Sequence, residues 1–140
     1  MNKSMILCSL FGICLASNVS LASDSRLLER DKFLSMIRLI SSPDNFDEQV
    51  VQVYGVLKTH VDGKKIKSAI VCADVESAKR RVRPNCVLLD SGYFSNNDFL
   101  RNYSEKYVLV NGLFNRADSV VDMYLGTIEK VQAVELIETP

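Results

Sequence analysis

Val51-Gln52-Val53-Tyr54-Gly55-Val56-Leu57-Lys58 is the most informative segment of this chain. Val51, Val53, Gly55 and Leu57 alternate with Gln52, Tyr54 and Lys58, which is the period of a β-strand with one buried face. Gly55 in mid-strand predicts a bend or a close backbone approach, as at the corner of a small barrel. An Asp62-Gly63 pair follows and favours a tight turn. The chain is therefore expected to return as a second strand over residues 67–73.

The segments on either side of this hairpin predict a helix before it and a long connection after it. An apolar helix face over residues 31–42 is indicated by four side chains at helical spacing, Phe33, Met36, Ile37 and Ile40. Asp31 would cap this helix and Pro43 would end it. Residues 74–85 are polar and basic, which predicts a long loop with one helical turn. A third strand follows over residues 86–90.

The C-terminal half completes a mainly β (α+β) domain. Ser95 and Asp98 have the spacing of a capping box, which predicts a short helix beginning at Ser95. Two more strands are predicted over residues 107–115 and 125–137, and alternation slips between Ile128 and Val131, as at a β-bulge. These elements predict a five-stranded OB-like Greek-key barrel with an N-terminal helix and a short helix between strands three and four. The alternative is another small α+β sandwich with the same order of elements.

The first 22 residues have the order of features that is typical of a cleavable signal peptide. Lys3 precedes a mostly apolar run over residues 5–16, and Ser20 and Ala22 occupy the −3 and −1 positions of a cleavage site. The run is shorter than the roughly 20 residues of a transmembrane helix. We therefore predict a signal peptide over residues 1–22 and a single domain over residues 23–140. Such a protein would be periplasmic or secreted, with no stable membrane insertion after cleavage.

Removal of the signal peptide changes the meaning of the charge and of the cysteines. Lys3 leaves with it, so 16 Lys and Arg stand against 17 Asp and Glu, and no global attraction to nucleic acid or membranes is expected. Of the four cysteines, Cys72 and Cys86 remain. Cys72 lies at the end of one predicted strand and Cys86 begins the next, so we predict a disulfide between them. The alternative is two separate buried thiols.

Three stretches carry a resemblance to a known group of proteins. They are Ser42-Pro43-Asp44-Asn45-Phe46-Asp47-Glu48-Gln49-Val50-Val51-Gln52-Val53-Tyr54-Gly55, Lys106-Tyr107-Val108-Leu109-Val110-Asn111-Gly112-Leu113-Phe114, and Gly126-Thr127-Ile128-Glu129-Lys130-Val131 with Glu135 and Ile137. Together they resemble small bacterial exported proteins with an OB-like domain, over about residues 32–137. The resemblance implies the fold and the compartment, and it transfers no active site.

The sequence contains few of the motifs that are typical of an enzyme. No phosphate-binding loop, hydrolase nucleophile motif or zinc-protease motif occurs, and no Cys/His cluster has metal-ligand spacing. The single histidine, His60, and Cys72 form one conceivable nucleophile–base pair. A disulfide at Cys72 would remove this pair. We interpret the protein as a non-enzyme with neither a cofactor nor a metal.

Positive charge forms two short clusters that are candidate ligand-binding residues. Lys64, Lys65 and Lys67 follow the first turn, and Lys79, Arg80, Arg81 and Arg83 lie in the next connection. Tyr54 is a candidate aromatic platform, because single-stranded nucleic acids stack on exposed rings. In OB-folds the face of strands two and three commonly binds oligonucleotides or oligosaccharides. The alternative is that both clusters are solvated loops that keep a near-neutral protein soluble.

Two binding functions follow from these observations. The first is a non-catalytic exported binding module that contacts an envelope protein through a strand edge or the basic loop. The second is the binding of a polyanion, oligosaccharide or nucleic acid through the basic loops of the OB-fold face.

Overall fold

The computed structural model describes residues 33–118 and 123–138. The predicted signal peptide, the start of the predicted domain and Asp31 lie outside the described residues. The described chain forms six strands and three short helices: β1 (Phe33–Ser35), α1 (Met36–Ser41), β2 (Gln49–Asp62), β3 (Lys65–Cys72), α2 (Val75–Arg80), β4 (Cys86–Leu89), α3 (Ser91–Asn96), β5 (Tyr107–Arg116) and β6 (Gly126–Leu136). Three 3-10 turns cover Pro43–Phe46, Arg83–Asn85 and Asp98–Tyr103.

Five of the strands close into a barrel. Their order around the wall is β2, β3, β4, β6 and β5, and β5 returns to pair with β2. β4 and β6 run parallel, whereas the other neighbours are antiparallel. α3 and the Asp98–Tyr103 turn lie between β4 and β5, which are barrel strands three and four. The predicted mainly β, OB-like five-stranded barrel is therefore confirmed.

The hairpin that anchors the prediction is present, with longer strands. Gly63 has a φ of 61° in the turn between β2 and β3, a left-handed conformation that glycine adopts without a steric penalty. Gly55 lies where β2 passes from the part that pairs with β1 to the part that pairs with β3. A methyl group on Gly55 would lie 2.5 Å from the carbonyl oxygen of Cys72. The predicted close backbone approach at Gly55 is confirmed.

The predicted slip in the last strand is also confirmed, as a bulge in β6. Asn111 of β5 pairs with Ala133, but Leu113, two residues later, pairs with Glu129, so β6 carries two extra residues at this point. Lys130 within the bulge has a left-handed φ of 47°. The bulge bends β6 towards β5, which explains Gly112: a methyl group there would lie 2.9 Å from the carbonyl oxygen of Glu129.

The N-terminal helix is shorter than predicted, and its buried face is different. Residues 33–35 form β1, which pairs in parallel with Gln52, Val53 and Tyr54 of β2. α1 begins only after Ser35, whose hydroxyl caps it by accepting from the Arg38 backbone N–H at 3.2 Å. Its buried side chains are Met36 and Leu39, while Ile37 is 69% exposed. Of the predicted face, Met36 and Ile40 do pack on the core, whereas Phe33 was wrongly assigned because pairing with β2 takes residues 33–35 out of the helix.

The helix predicted at Ser95 was also misplaced. α3 begins earlier, at Ser91 after Asp90, and ends at Asn96. Asp98 instead begins the Asp98–Tyr103 turn, which has no side-chain cap. Phe94 and Leu100 are buried and attach this connection to the barrel core. A helix cap typically stabilises a protein by about 1 kcal/mol. Burial of the two apolar side chains contributes more than this and therefore decides where the helix lies.

Candidate functional site

A second apolar cluster lies on the outer wall of the barrel, separate from the core. Inward-facing side chains such as Val53, Leu57 and Phe114 fill the barrel. The outer cluster contains five fully or nearly fully buried residues, Val56, Ile70, Cys72, Ala78 and Cys86. Ala78 belongs to α2, so this helix covers the outer faces of β2, β3 and β4. The centre of the surface on which OB-folds commonly bind ligands is therefore occupied by the protein's own helix.

The predicted disulfide is present and lies at the centre of this cluster. Cys72 and Cys86 face each other as a cross-strand pair of β3 and β4, and their sulfur atoms are bonded. Both cysteines are completely buried. The Cys72 sulfur is thus not available as a nucleophile, and the nucleophile–base pair with His60 does not form.

The connection closed by this disulfide is more ordered than the loop predicted from its sequence. Asp74 caps α2: its carboxylate accepts from the Ser77 backbone N–H and from the Ser77 hydroxyl, each at 2.8 Å. These hydrogen bonds hold the pKa of Asp74 below its ordinary value. The resulting stability is present above the ordinary carboxyl pKa and is lost as pH falls through the lower, folded pKa. At the other end, the Val82 backbone N–H donates to the Ser77 carbonyl at 2.9 Å.

The structure places the predicted basic residues around α2 and the hairpin. Lys64 is in the turn, Lys65 and Lys67 are on β3, Lys79 and Arg80 are on α2, Arg81 directly follows α2, and Arg83 is in the Arg83–Asn85 turn. All seven side chains are exposed. Arg80 is paired with Glu76 one helical turn away. The two sequence clusters therefore belong to neighbouring elements, because α2 packs on β2 and β3.

Arg81 comes close to residues that the sequence did not group with it. A shallow cleft is lined by Lys58 and His60 of β2, Ser68 and Ile70 of β3, Arg81 and Tyr124. The Lys58 ammonium donates to Glu105 Oε1 at 2.6 Å, and this hydrogen bond lowers the pKa of Glu105. Arg83 lies over the Tyr124 ring, with its guanidinium carbon 5.7 Å from the ring centre.

Tyr54 is separated from these cations and belongs to a different surface. A groove of about 500 Å³ crosses the outer wall and is lined by five apolar or aromatic side chains, Phe33, Tyr54, Tyr107, Leu109 and Ile137. We call it the aromatic groove. Tyr54 opposes Leu109 in the β2–β5 ladder, and its ring centre is 6.2 Å from that of Tyr107. The structure thus places Tyr54 in the aromatic groove and not in the cleft beside Arg81, and its grouping with the basic clusters as one ligand site stays a prediction.

Sequence reasoning missed the aromatic groove, although one signal for it was visible. Tyr107-Val108-Leu109-Val110 is apolar without interruption, so β5 presents apolar side chains on both faces. Val108 and Val110 are buried in the core, whereas Tyr107 and Leu109 point to the outer wall. Phe33 was not identifiable, because the helical spacing assigned it to the buried face of a helix.

The described residues offer neither a metal site nor a membrane-spanning helix. Within residues 33–118 and 123–138, no three His, Cys, Asp or Glu side chains converge in an arrangement suited to a metal ion. In the same part of the chain, no helix has the length and apolar character needed to cross a bilayer.

Comparison with known proteins gave no relative: neither a protein family, nor a curated protein, nor a solved structure matches this chain. The resemblance to small bacterial exported proteins therefore stays a prediction. The candidate sites depend on the geometry alone.

Proposed function

We propose that this protein is a non-catalytic exported binding module that holds an extended apolar segment of an envelope protein in the aromatic groove. The groove is the observation that carries the proposal. Phe33, Tyr54 and Ile137 remain 47%, 42% and 36% exposed, although each is large and apolar or aromatic. Isolated exposed apolar side chains are ordinary, but a contiguous set of them marks an interaction surface. Aromatic residues are also the side chains that most often dominate binding energy at interfaces.

The strand at the rim of the groove supports an extended partner. Among the described residues β1 pairs only with β2, so its other edge presents backbone groups without strand partners. An incoming extended segment can add to such an edge through main-chain hydrogen bonds. Alternate side chains of that segment would then lie beside Phe33, at the rim of the groove. This geometry favours a peptide-like occupant over a compact small molecule.

The disulfide supports the exported location in this proposal. Structural disulfides persist in oxidising compartments and are rare in the cytosol. Both cysteines are buried in a packed cluster, so the bond is part of the folded domain. The partner is therefore expected among proteins of the periplasm or of the extracellular space.

Photo-crosslinking in the cells that make the protein tests the proposal. A photoreactive phenylalanine at position 54 is expected to form an adduct with one envelope protein, because Tyr54 lies on the floor of the groove. The same amino acid at position 99 is the control: Phe99 is 39% exposed, close to the value for Tyr54, but lies in the Asp98–Tyr103 turn. Equal adducts at both positions, or none at position 54, would contradict the proposal.

Substitution of Phe33 measures how much the aromatic groove contributes to the affinity for the crosslinked protein. Phe33→Ser is expected to weaken binding of the crosslinked protein by roughly thirtyfold, as for loss of an aromatic anchor at an interface. Phe99→Ser removes the same side chain at similar exposure and is expected to leave binding within about twofold. Isothermal titration with the purified partner measures both. Since both side chains are half-exposed, neither change should prevent folding, which thermal unfolding checks.

A further inference from the structure

The charge of the domain is divided between two parts of the fold. Residues 58–83 include the end of β2, the hairpin, β3 and α2, and they carry eight Lys and Arg against three Asp and Glu. The other described residues carry five Lys and Arg against ten Asp and Glu. The first part is therefore net +5 and the second net −5. Because α2 packs on β2 and β3, these elements are neighbours in the fold, and we call their exposed side the basic face.

Within the basic face, the cleft beside α2 joins basic side chains from different elements. Arg81 has a left-handed φ of 52°, which ends α2 and places Arg81 beside Lys58, His60 and Ser68. The cleft itself measures about 10 Å³. That volume is room for about one water-sized oxygen atom. A ligand must therefore lie across the surface and insert single oxygen atoms, rather than enter a pocket.

Several cations of this face have no acidic partner among the described residues. Lys58 is paired with Glu105, and Arg80 with Glu76. Arg81 and Arg83 form no ion pair in the part of the chain that the structure describes. Arg83 is instead stacked over Tyr124. Arg83 Nη1 also donates to Met123 Sδ at 3.6 Å, a weak acceptor that a phosphate oxygen would replace.

The spacing of the cations requires more than one anionic group. Arg81 lies beside Ser68 and Ile70, whereas Lys65 begins β3 at the hairpin. Ile70 lies five positions after Lys65 along β3, which corresponds to roughly 15 Å. One phosphate group cannot reach both positions, but successive groups of a linear chain can.

The positions of the aromatic residues argue against a nucleic acid as the linear ligand of the basic face. Recognition of single strands relies on several exposed rings on which successive bases stack. Two rings line the cleft, His60 and Tyr124, and the Arg83 guanidinium already lies over the Tyr124 ring, while Tyr54 lies in the aromatic groove. We propose that the basic face binds a linear polyanion that carries phosphate groups and no bases. This site is separate from the aromatic groove and does not depend on the function proposed for it.

Binding of long-chain inorganic polyphosphate to the oxidised, exported protein tests this inference. Arg81→Gln combined with Arg83→Gln is expected to weaken binding roughly tenfold, since each removed cation lowers affinity for a polyanion severalfold. The control is Lys130→Gln. Lys130, like Arg81, is an exposed cation in the left-handed conformation, but lies on the β6 bulge. This control is expected to change binding by less than about twofold.

A second variant protects the test against effects on folding. Lys64→Gln with Lys65→Gln alters only exposed side chains at the hairpin and is also expected to weaken polyphosphate binding severalfold. Affinity should fall steeply as salt is raised, because binding releases counterions.

Each of four results would overturn the inference. The first three are equal losses in the basic-face and control variants, equal binding of polyglutamate, and tighter binding of a single-stranded oligonucleotide than of polyphosphate. Competition by inorganic phosphate at concentrations equal to those of polyphosphate repeat units would also overturn it, because a chain-spanning site prefers the linked anions. Phe33→Ser should leave polyphosphate binding unchanged, which separates this test from that of the aromatic groove.

Discussion

Replacing Cys72 and Cys86 together with alanine is expected to lower the free energy of unfolding by about 3 kcal/mol. The cross-link closes a loop between positions 14 residues apart, and a loop of this length removes roughly that much conformational freedom from the unfolded chain. The loss of two buried sulfur atoms from the outer cluster adds to the effect. Urea unfolding of the oxidised protein and of the double variant measures the difference.

Reduction of the unmutated protein separates the two contributions. A reducing agent breaks the cross-link but keeps both side chains, so its effect reports the loop alone. The alanine variant then shows how much more is lost through packing. If reduction leaves the urea midpoint where it was, even though thiol titration shows two free cysteines, the account of loop closure is wrong. α2 should keep its position on reduction, because Ala78 packs in the same buried cluster as both cysteine side chains, which reduction retains.

Gly55→Ala is expected to be at least as damaging, with a loss of about 3 kcal/mol or a failure to fold. The added methyl group would lie 2.5 Å from the Cys72 carbonyl oxygen and 2.8 Å from both Met36 Cγ and Val71 Cγ1. The carbonyl cannot retreat, because Val56 pairs with Cys72 in the ladder and the disulfide fixes Cys72 from the other side. Overpacking against such a rigid neighbour usually costs 1–3 kcal/mol and sometimes more, so we expect about the upper limit.

Gly92→Ala is the matched control for this substitution. A methyl group there would approach only the Asp90 carboxylate, at 3.2 Å for the nearest oxygen. Gly92 lies in α3, where alanine is favoured over glycine by up to about 1 kcal/mol. The control should therefore unfold at an equal or slightly higher temperature than the unmutated protein. A Gly55→Ala protein that unfolds at the same temperature as Gly92→Ala would show that β2 can separate from β3 without cost.

The sequence predicted the barrel because local patterns and long-range pairing agree there. The alternation over residues 51–58, the Asp62-Gly63 turn and the slip after Ile128 each correspond to a feature of the structure. The disulfide was predictable for a related reason, since each cysteine ends or begins a strand and neighbouring strands bring such ends together.

The errors arose where two local signals competed and tertiary pairing decided between them. Phe33 has helical spacing with Met36 and Ile40, yet residues 33–35 pair with the edge of β2 and form β1. Ser95 and Asp98 have capping-box spacing, yet burial of Phe94 and Leu100 sets the helix boundaries. In both cases the nonlocal contact buries apolar surface, and this outweighs the smaller free energy of a cap or of helix propensity.

The candidate sites divide in the same way. The positive charge of residues 58–83 and the presence of Tyr54 can be read directly from the sequence. Which of these residues act together depends on α2, which covers the outer wall at the disulfide, places Arg81 beside His60 and leaves Tyr54 to the aromatic groove. Strand period, turns and charge are encoded over a few neighbouring residues, so the sequence specifies them directly. The groove and the cleft join residues far apart in the chain, and only the closed barrel brings them within contact distance.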